Sequence, residues 1–157
     1  MAEFTQPALA PHLVCAGAAD AIEFYKQAFG AEEMMRLAGP DGKLMHGAIT
    51  INGAMVMLVD EMKEMGALDP NSLGGTPVTL HLSVANADAA IDRAAQAGAS
   101  VVMPATDMFW GDRYGQVKDP WGHVWSIAHP LPNAPQGEAE LRKAAENAMC
   151  GQPATGN

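Results

Sequence analysis

Apolar and polar positions along this chain follow two different periods, and the switches between them set out its elements. Residues 11–15, PHLVC, read as a short strand. From Ala18 to Phe29 the apolar set Ile22, Tyr25, Ala28 and Phe29 recurs at spacings of three and four, with Asp20 in the first turn and Gly30 as a stop. That spacing predicts one face of a helix. Three strand-like runs follow, 31–37, 44–51 and 55–59, separated by Gly39-Pro40-Asp41-Gly42 and by Asn52-Gly53. Asn-Gly favours the tight type I′ turn of a hairpin, so the first half reads βαβββ.

Residues 60–77 carry the Pro, Gly, Asn and Ser of a connector, and beyond them the pattern begins again. A strand is predicted over 78–84, then a helix over 87–97 with Asn86 as N-cap and Gly98 as stop. Strands follow at 100–104, 112–118 and 123–128, the last two joined by Asp119-Pro120-Trp121-Gly122. A shift of 68 residues matches Ala19-Asp20-Ala21 to Ala87-Asp88-Ala89, Gly30-Ala31 to Gly98-Ala99, Met35 to Met103 and Gly47 to Gly115. A shift of 69 matches His12 to His81 and Gly53 to Gly122. The repeated glycines stand at equivalent helix ends and turns, so the halves, about 8–60 and 78–129, are two copies of one module within a single domain spanning 8–129. Residues 130–157 lie outside the repeat as a C-terminal tail with a short helix expected at 138–149, where Glu138 and Arg142 form a supporting pair.

Composition narrows the function classes. The 157 residues are 48% hydrophobic, enough for one sizeable core. Eighteen acidic against nine basic side chains leave a formal charge of −9, which argues against a nucleic-acid partner, since phosphate backbones call for a basic face. The opening MAEFTQPALA lacks a signal-peptide pattern, and no run approaches the length of a bilayer span, so a cytoplasmic protein without membrane contact is expected. Cys15 and Cys150 are expected to be free thiols. A GxSxG elbow, a phosphate-binding loop and paired CxxC motifs are all missing, and the Asp60-Glu61 pair reads as a solvated turn.

Two stretches, AIEFYKQAFGAEE (21–33) and FWGDRYGQVKDPWGHVWSIAH (109–129), resemble the vicinal oxygen chelate superfamily of glyoxalase, bleomycin-resistance and dioxygenase proteins, and within it the PhnB-like branch. The resemblance implies an α+β fold in which two βαβββ modules form an open, cup-shaped mixed sheet, and it implies a homodimer. Enzymes of the superfamily hold one divalent metal in the cup, a Lewis acid for two neighbouring substrate oxygens, beside a carboxylate that moves the proton. Matching the motifs puts the family's ligand positions at Ala10, Met57, Thr79 and Ser126, none of which is His, Asp, Glu or Cys. No cofactor is therefore expected, with a divalent metal at a displaced site on His12 and His81 as the alternative.

The remaining polar and aromatic residues suggest a small-molecule site. His12, His46, Met57, His81, Trp110, Arg113, Tyr114 and Ser126 are the candidate ligand-binding residues. Phe109, Trp110 and Tyr114 offer flat surface, and Arg113 could hold an acid group, which suits an aromatic or anionic ligand. Three functions stay open: a small-molecule binder without the standard metal, a lyase or isomerase of glyoxalase type on a noncanonical metal, and an accessory dimer without ligand.

Overall fold

The computed structural model describes residues 6–151. Module one runs β1 (His12–Cys15), α1 (Ala18–Phe29), β2 (Glu32–Ala38), β3 (Leu44–Ile51) and β4 (Ala54–Asp60). Module two repeats it as β5 (Thr79–Ser83), α3 (Ala87–Ala97), β6 (Ser100–Asp107), β7 (Asp112–Lys118) and β8 (Val124–Pro130). The connector holds a 3-10 turn (Lys63–Met65) and the short helix α2 (Pro70–Leu73), and α4 (Gly137–Cys150) follows the second module. The sheets have equivalent orders, β1-β4-β3-β2 and β5-β8-β7-β6, each with one parallel pair at the edge that starts the module. This is the α+β, two-module architecture expected from the repeat.

Local chemistry explains most boundaries. Asn52 and Gly53, at φ of 49° and 81°, take the left-handed backbone that a type I′ turn requires. Asn86 caps α3 by accepting from Ala89 N–H at 3.0 Å. β6 runs three residues past the expected end at Pro104; as the outer strand of its sheet it tolerates the missing N–H, with a register shift between Met103 and Thr106.

The modules join through their helices. Phe24, Tyr25 and Phe29 on α1 meet Trp121 and Trp125 of module two, with Phe29 and Trp125 ring centroids 4.8 Å apart. Trp125 is 3% exposed, and burying a large apolar side chain contributes about 1.5–3 kcal/mol. Arg93 on α3 donates to the Gln27 carbonyl at 2.7 Å, satisfying the C-terminal end of α1. The Asp119 carboxylate accepts from Tyr25 Oη at 2.6 Å, from Trp125 Nε1 at 3.0 Å and from the backbone N–H groups of Trp121 and His123. This buried carboxylate therefore ties the 119–123 turn to module one.

Asp60 and Glu61 correct the expectation of a solvated turn: they are 7% and 8% exposed. Gly17, at the N-cap of α1, has no side chain to offer, and Asp60 supplies the cap from β4 by accepting from Gly17 N–H and Ala18 N–H. Its other oxygen accepts from Leu44 N–H at 2.7 Å. Glu61 is enclosed because the connector folds back, with Asp69 N–H and the Ser72 hydroxyl donating to it. Cys15 is buried and Cys150 exposed, and both thiols are free. No described helix is long and apolar enough to cross a membrane.

Candidate functional site

Strand alternation places every second residue on the face away from the helices. In sheet one Leu13, Ile49, Val56 and Leu58 are buried in the core, so His12, Met57 and Ala48 take the other face. In sheet two Val117, Trp125 and Ile127 are in the core, which sends His81, Ser126 and Gln116 to the other face. Cross-strand pairing then makes two equivalent rows, His12–Met57–Ala48–Met35 and His81–Ser126–Gln116–Met103. Members of the two rows are related by the same offsets, 68 and 69, that define the sequence repeat. The outermost methionine of each row follows a register shift in its strand, so the irregularity repeats as well.

The row in sheet two carries the richer chemistry. His81 Nδ1 lies 2.8 Å from the hydroxyl of Ser126, a residue only 3% exposed. The His81 and Tyr114 rings are nearly parallel, 16° between planes with centroids 6.3 Å apart. Tyr114 meets Trp110 edge-on at 5.5 Å, and Trp110 meets Phe109 at 5.2 Å. Gln116 Nε2 donates to the Tyr114 oxygen at 2.8 Å. Flat surface and hydrogen-bonding groups thus run together from the β6–β7 loop to the edge strand β5.

On sheet one, His12 and His46 approach edge-on with ring centroids 6.2 Å apart. Met57 lies beside His12 in the row, as expected of a shared face. The sheet-one cluster and the His81–Tyr114 cluster are separate features on different sheets.

Arg113 goes elsewhere. One residue from Tyr114 in the strand, it points to the opposite face, where Nε and Nη2 bond both Asp88 oxygens at 2.6 and 2.9 Å and Nη1 bonds Asp107 at 2.8 Å. Those bonds pull the Asp88 carboxyl below its usual range and raise the guanidinium further. The expected role of Arg113 in holding a ligand's acid group is corrected accordingly: its fork fastens β7 to the start of α3. Gln116 is the functional candidate that residue-by-residue reading missed. The alternation from Tyr114, and the offset of 68 from Ala48, would have found it.

The family's ligand positions offer a poor fit for a metal. Ala10 and Met57 bring a methyl and a thioether, Thr79 and Ser126 hydroxyls, and the Ser126 hydroxyl is already engaged with His81. Among the described residues of one chain, no three His, Cys, Asp or Glu side chains converge as a metal-holding group.

A concavity of about 370 Å³ lies between the β1 and β5 edges beneath the connector, walled by His12, Leu13, Leu68, Leu73, Val78 and Leu80. Its His123 is already occupied, since Nε2 donates to the Val14 carbonyl at 2.8 Å. That cleft is mostly apolar, and the open face of sheet two carries the larger set of hydrogen-bonding groups.

Comparison with known proteins agrees with this geometry. The Glyoxalase/Bleomycin resistance protein/Dioxygenase superfamily matches residues 8–127. An uncharacterised protein of Mycobacterium tuberculosis is 49% identical over 149 residues, covering 93% of this chain and 88% of its own. Among solved structures, a gene product from Arabidopsis thaliana aligns with a TM-score of 0.64 at 26% identity, covering 79% of this chain and 99% of its own. A PhnB protein from Bacillus cereus, described as a putative demethylubiquinone methyltransferase, aligns with a TM-score of 0.61 at 18% identity, covering 78% of this chain and 99% of its own. The likeness to the Bacillus protein shows the fold alone.

Proposed function

Since the chain belongs to the Glyoxalase/Bleomycin resistance protein/Dioxygenase superfamily, we propose that it is a small-molecule-binding member that works without the superfamily's standard metal site. Its ligand is a planar molecule that stacks on the uncovered face of sheet two. The observation that carries this reading is the unbroken aromatic row Phe109–Trp110–Tyr114–His81, with hydrogen-bonding groups of His81, Ser126 and Gln116 beside it. Rings on such a surface gain stacking and area burial together. The lack of imidazole or carboxylate at the superfamily positions supports the metal-independent part.

In this reading a second copy of the chain closes the cup. Met35 and Leu37 on β2, paired with Ala48 and His46 on the face turned away from α1, stand 42% and 53% exposed. Large apolar side chains standing together on the open face of a sheet suit an interaction face. Sedimentation at micromolar concentration is expected to give a dimer, and a monomer that still binds ligand would defeat the closure.

A thermal-shift screen of flat aromatic compounds tests the binding itself. Binding to the native state raises the melting temperature by mass action, and Trp110→Ala with Tyr114→Ala is expected to abolish the shift while the fold persists. A hit whose shift survives both substitutions would place the site elsewhere.

The pairing of His12 with His46 favours a second reading, lyase or isomerase chemistry on a noncanonical metal. Metal analysis of untagged protein after exposure to zinc, nickel and manganese decides between the two, because the first reading expects no stoichiometric metal.

A further inference from the structure

The hydrogen bonds beneath the aromatic row dictate which protons face the ligand. Ser126 is buried, and its hydroxyl has one hydrogen-bond partner among the described residues, His81 Nδ1. A hydroxyl brings one proton that must find an acceptor. Were Nδ1 to carry a hydrogen, the Ser126 proton would face a donor and be left without an acceptor, which is costly for a buried hydroxyl. The satisfied arrangement has Ser126 donating to a bare Nδ1, which puts the imidazole hydrogen on Nε2. His81 is exposed, so that N–H is available to the open face.

Tyr114 is set in the same sense. Its oxygen already receives the Gln116 amide, and its own O–H has no acceptor among the described residues. The phenol proton is therefore free for a ligand. Two separate second-row bonds, from Ser126 and from Gln116, leave both ring residues presenting donors.

We infer that the site on sheet two is selective for the hydrogen-bonding polarity of its ligand: it takes planar molecules whose edge carries acceptor oxygens, such as carboxylates or conjugated carbonyls, and rejects planar molecules whose edge carries only donors. This rests on the proposed location of the ligand and adds its chemical class. Ser126 and Gln116 are positioning residues in this scheme, acting through His81 and Tyr114. The preference runs against the chain's formal charge of −9, whose general field favours cations over carboxylates.

The test uses two flat probes of matched size, naphthalene carboxylate and naphthylmethylammonium, titrated against the full chain at about 0.15 M salt, where long-range charge effects are screened. The carboxylate is expected to bind at least tenfold more tightly. Tyr114→Phe should cost it about tenfold, the worth of one hydrogen bond to a charged acceptor. Gln116→Glu should cost a similar factor, because a carboxylate at that position takes the phenol proton for itself. Imidazole nitrogen NMR of the free protein should show His81 with its hydrogen on Nε2, and Ser126→Ala should change that signature without unfolding the chain.

Equal binding of the two probes, or tighter binding of the ammonium, overturns the polarity while leaving the location intact. A His81 hydrogen found on Nδ1 overturns it as well, with no ligand needed. Failure of both probes to bind overturns the location, and the inferred ligand class falls with it.

Discussion

Removing a single oxygen, in Tyr25→Phe, isolates one of the bonds that tie the two modules together. Tyr25 is fully buried and donates to Asp119 at 2.6 Å, while its ring stacks on Phe29 at 6.0 Å and meets Trp125 at 5.4 Å. Phenylalanine keeps those ring contacts and loses only the hydroxyl. A hydrogen bond to a charged group contributes about 1.5–3 kcal/mol, and Asp119 would keep its other three donors, so the lower half of that range is expected. For a chain of this length each kcal/mol moves the melting temperature by about 2–4 °C, which gives a drop of about 3–9 °C. Urea unfolding followed by tryptophan fluorescence reads the same quantity, with an unchanged m-value showing that the fold is intact. A double-mutant cycle with Asp119→Asn should return a coupling above about 0.5 kcal/mol, because the residues share the bond. A loss below about 0.5 kcal/mol for Tyr25→Phe at constant m would refute the assignment of Asp119 as a fastening between modules.

Other consequences are equally direct. Burial first, and then the Asp119 charge, raises the Tyr25 phenol well above its ordinary range. Its contribution to stability is present below the unfolded value of about 10 and is lost as pH rises through the folded one, so Tyr25→Phe should flatten the alkaline loss seen in denaturant titrations. The Cys15 thiol, pushed up mainly by burial, adds a loss of the same sign, which Cys15→Ala should remove. The equivalent glycines Gly47 and Gly115 should respond differently to alanine. At Gly115 a Cβ would crowd Ile91 and come within 2.8 Å of the Met103 carbonyl oxygen, whereas at Gly47 it meets the flexible end of Ile22 at 3.2 Å. Gly115→Ala should therefore cost about 1–3 kcal/mol in thermal or urea unfolding and Gly47→Ala distinctly less, and equal costs would contradict the packing of α3 on β7. Arg113→Ala should leave ligand affinity within about twofold, since its guanidinium serves Asp88 and Asp107 on the other face, and a tenfold loss in calorimetric titration would return Arg113 to the site.

The element order was legible because each signal is local. Helices Ala18–Phe29 and Ala87–Ala97 have the bounds that their apolar spacing and flanking glycines predict. Strands Leu44–Ile51 and Asp112–Lys118 likewise lie between the turns that punctuate them. The offsets of 68 and 69 also carried long-range information, since equivalent residues of two copies must occupy equivalent places. They pair His12 with His81 and Met57 with Ser126, the innermost members of the two rows.

What tertiary structure decided was which partner each polar group meets. Period-two alternation states that Arg113 and Tyr114 point to opposite faces. Only the seating of α3 against β7 shows that the Arg113 side is the occupied one. Asp60 and Glu61 read as a surface turn because nothing nearby in sequence needs them. Their partners, the N–H groups of Gly17, Ala18, Leu44 and Asp69, arrive through the packing of β1 on β4 and the return of the connector. The polarity of the candidate site has the same origin. A lone Ser126 or Gln116 could donate or accept, and the choice is made only when folding sets Ser126 2.8 Å from His81 and Gln116 2.8 Å from Tyr114. Sequence determines backbone periodicity, because that depends on neighbours along the chain. The assignment of protons and charges depends on neighbours brought together across strands and between helix and sheet, which meet only once each module has packed.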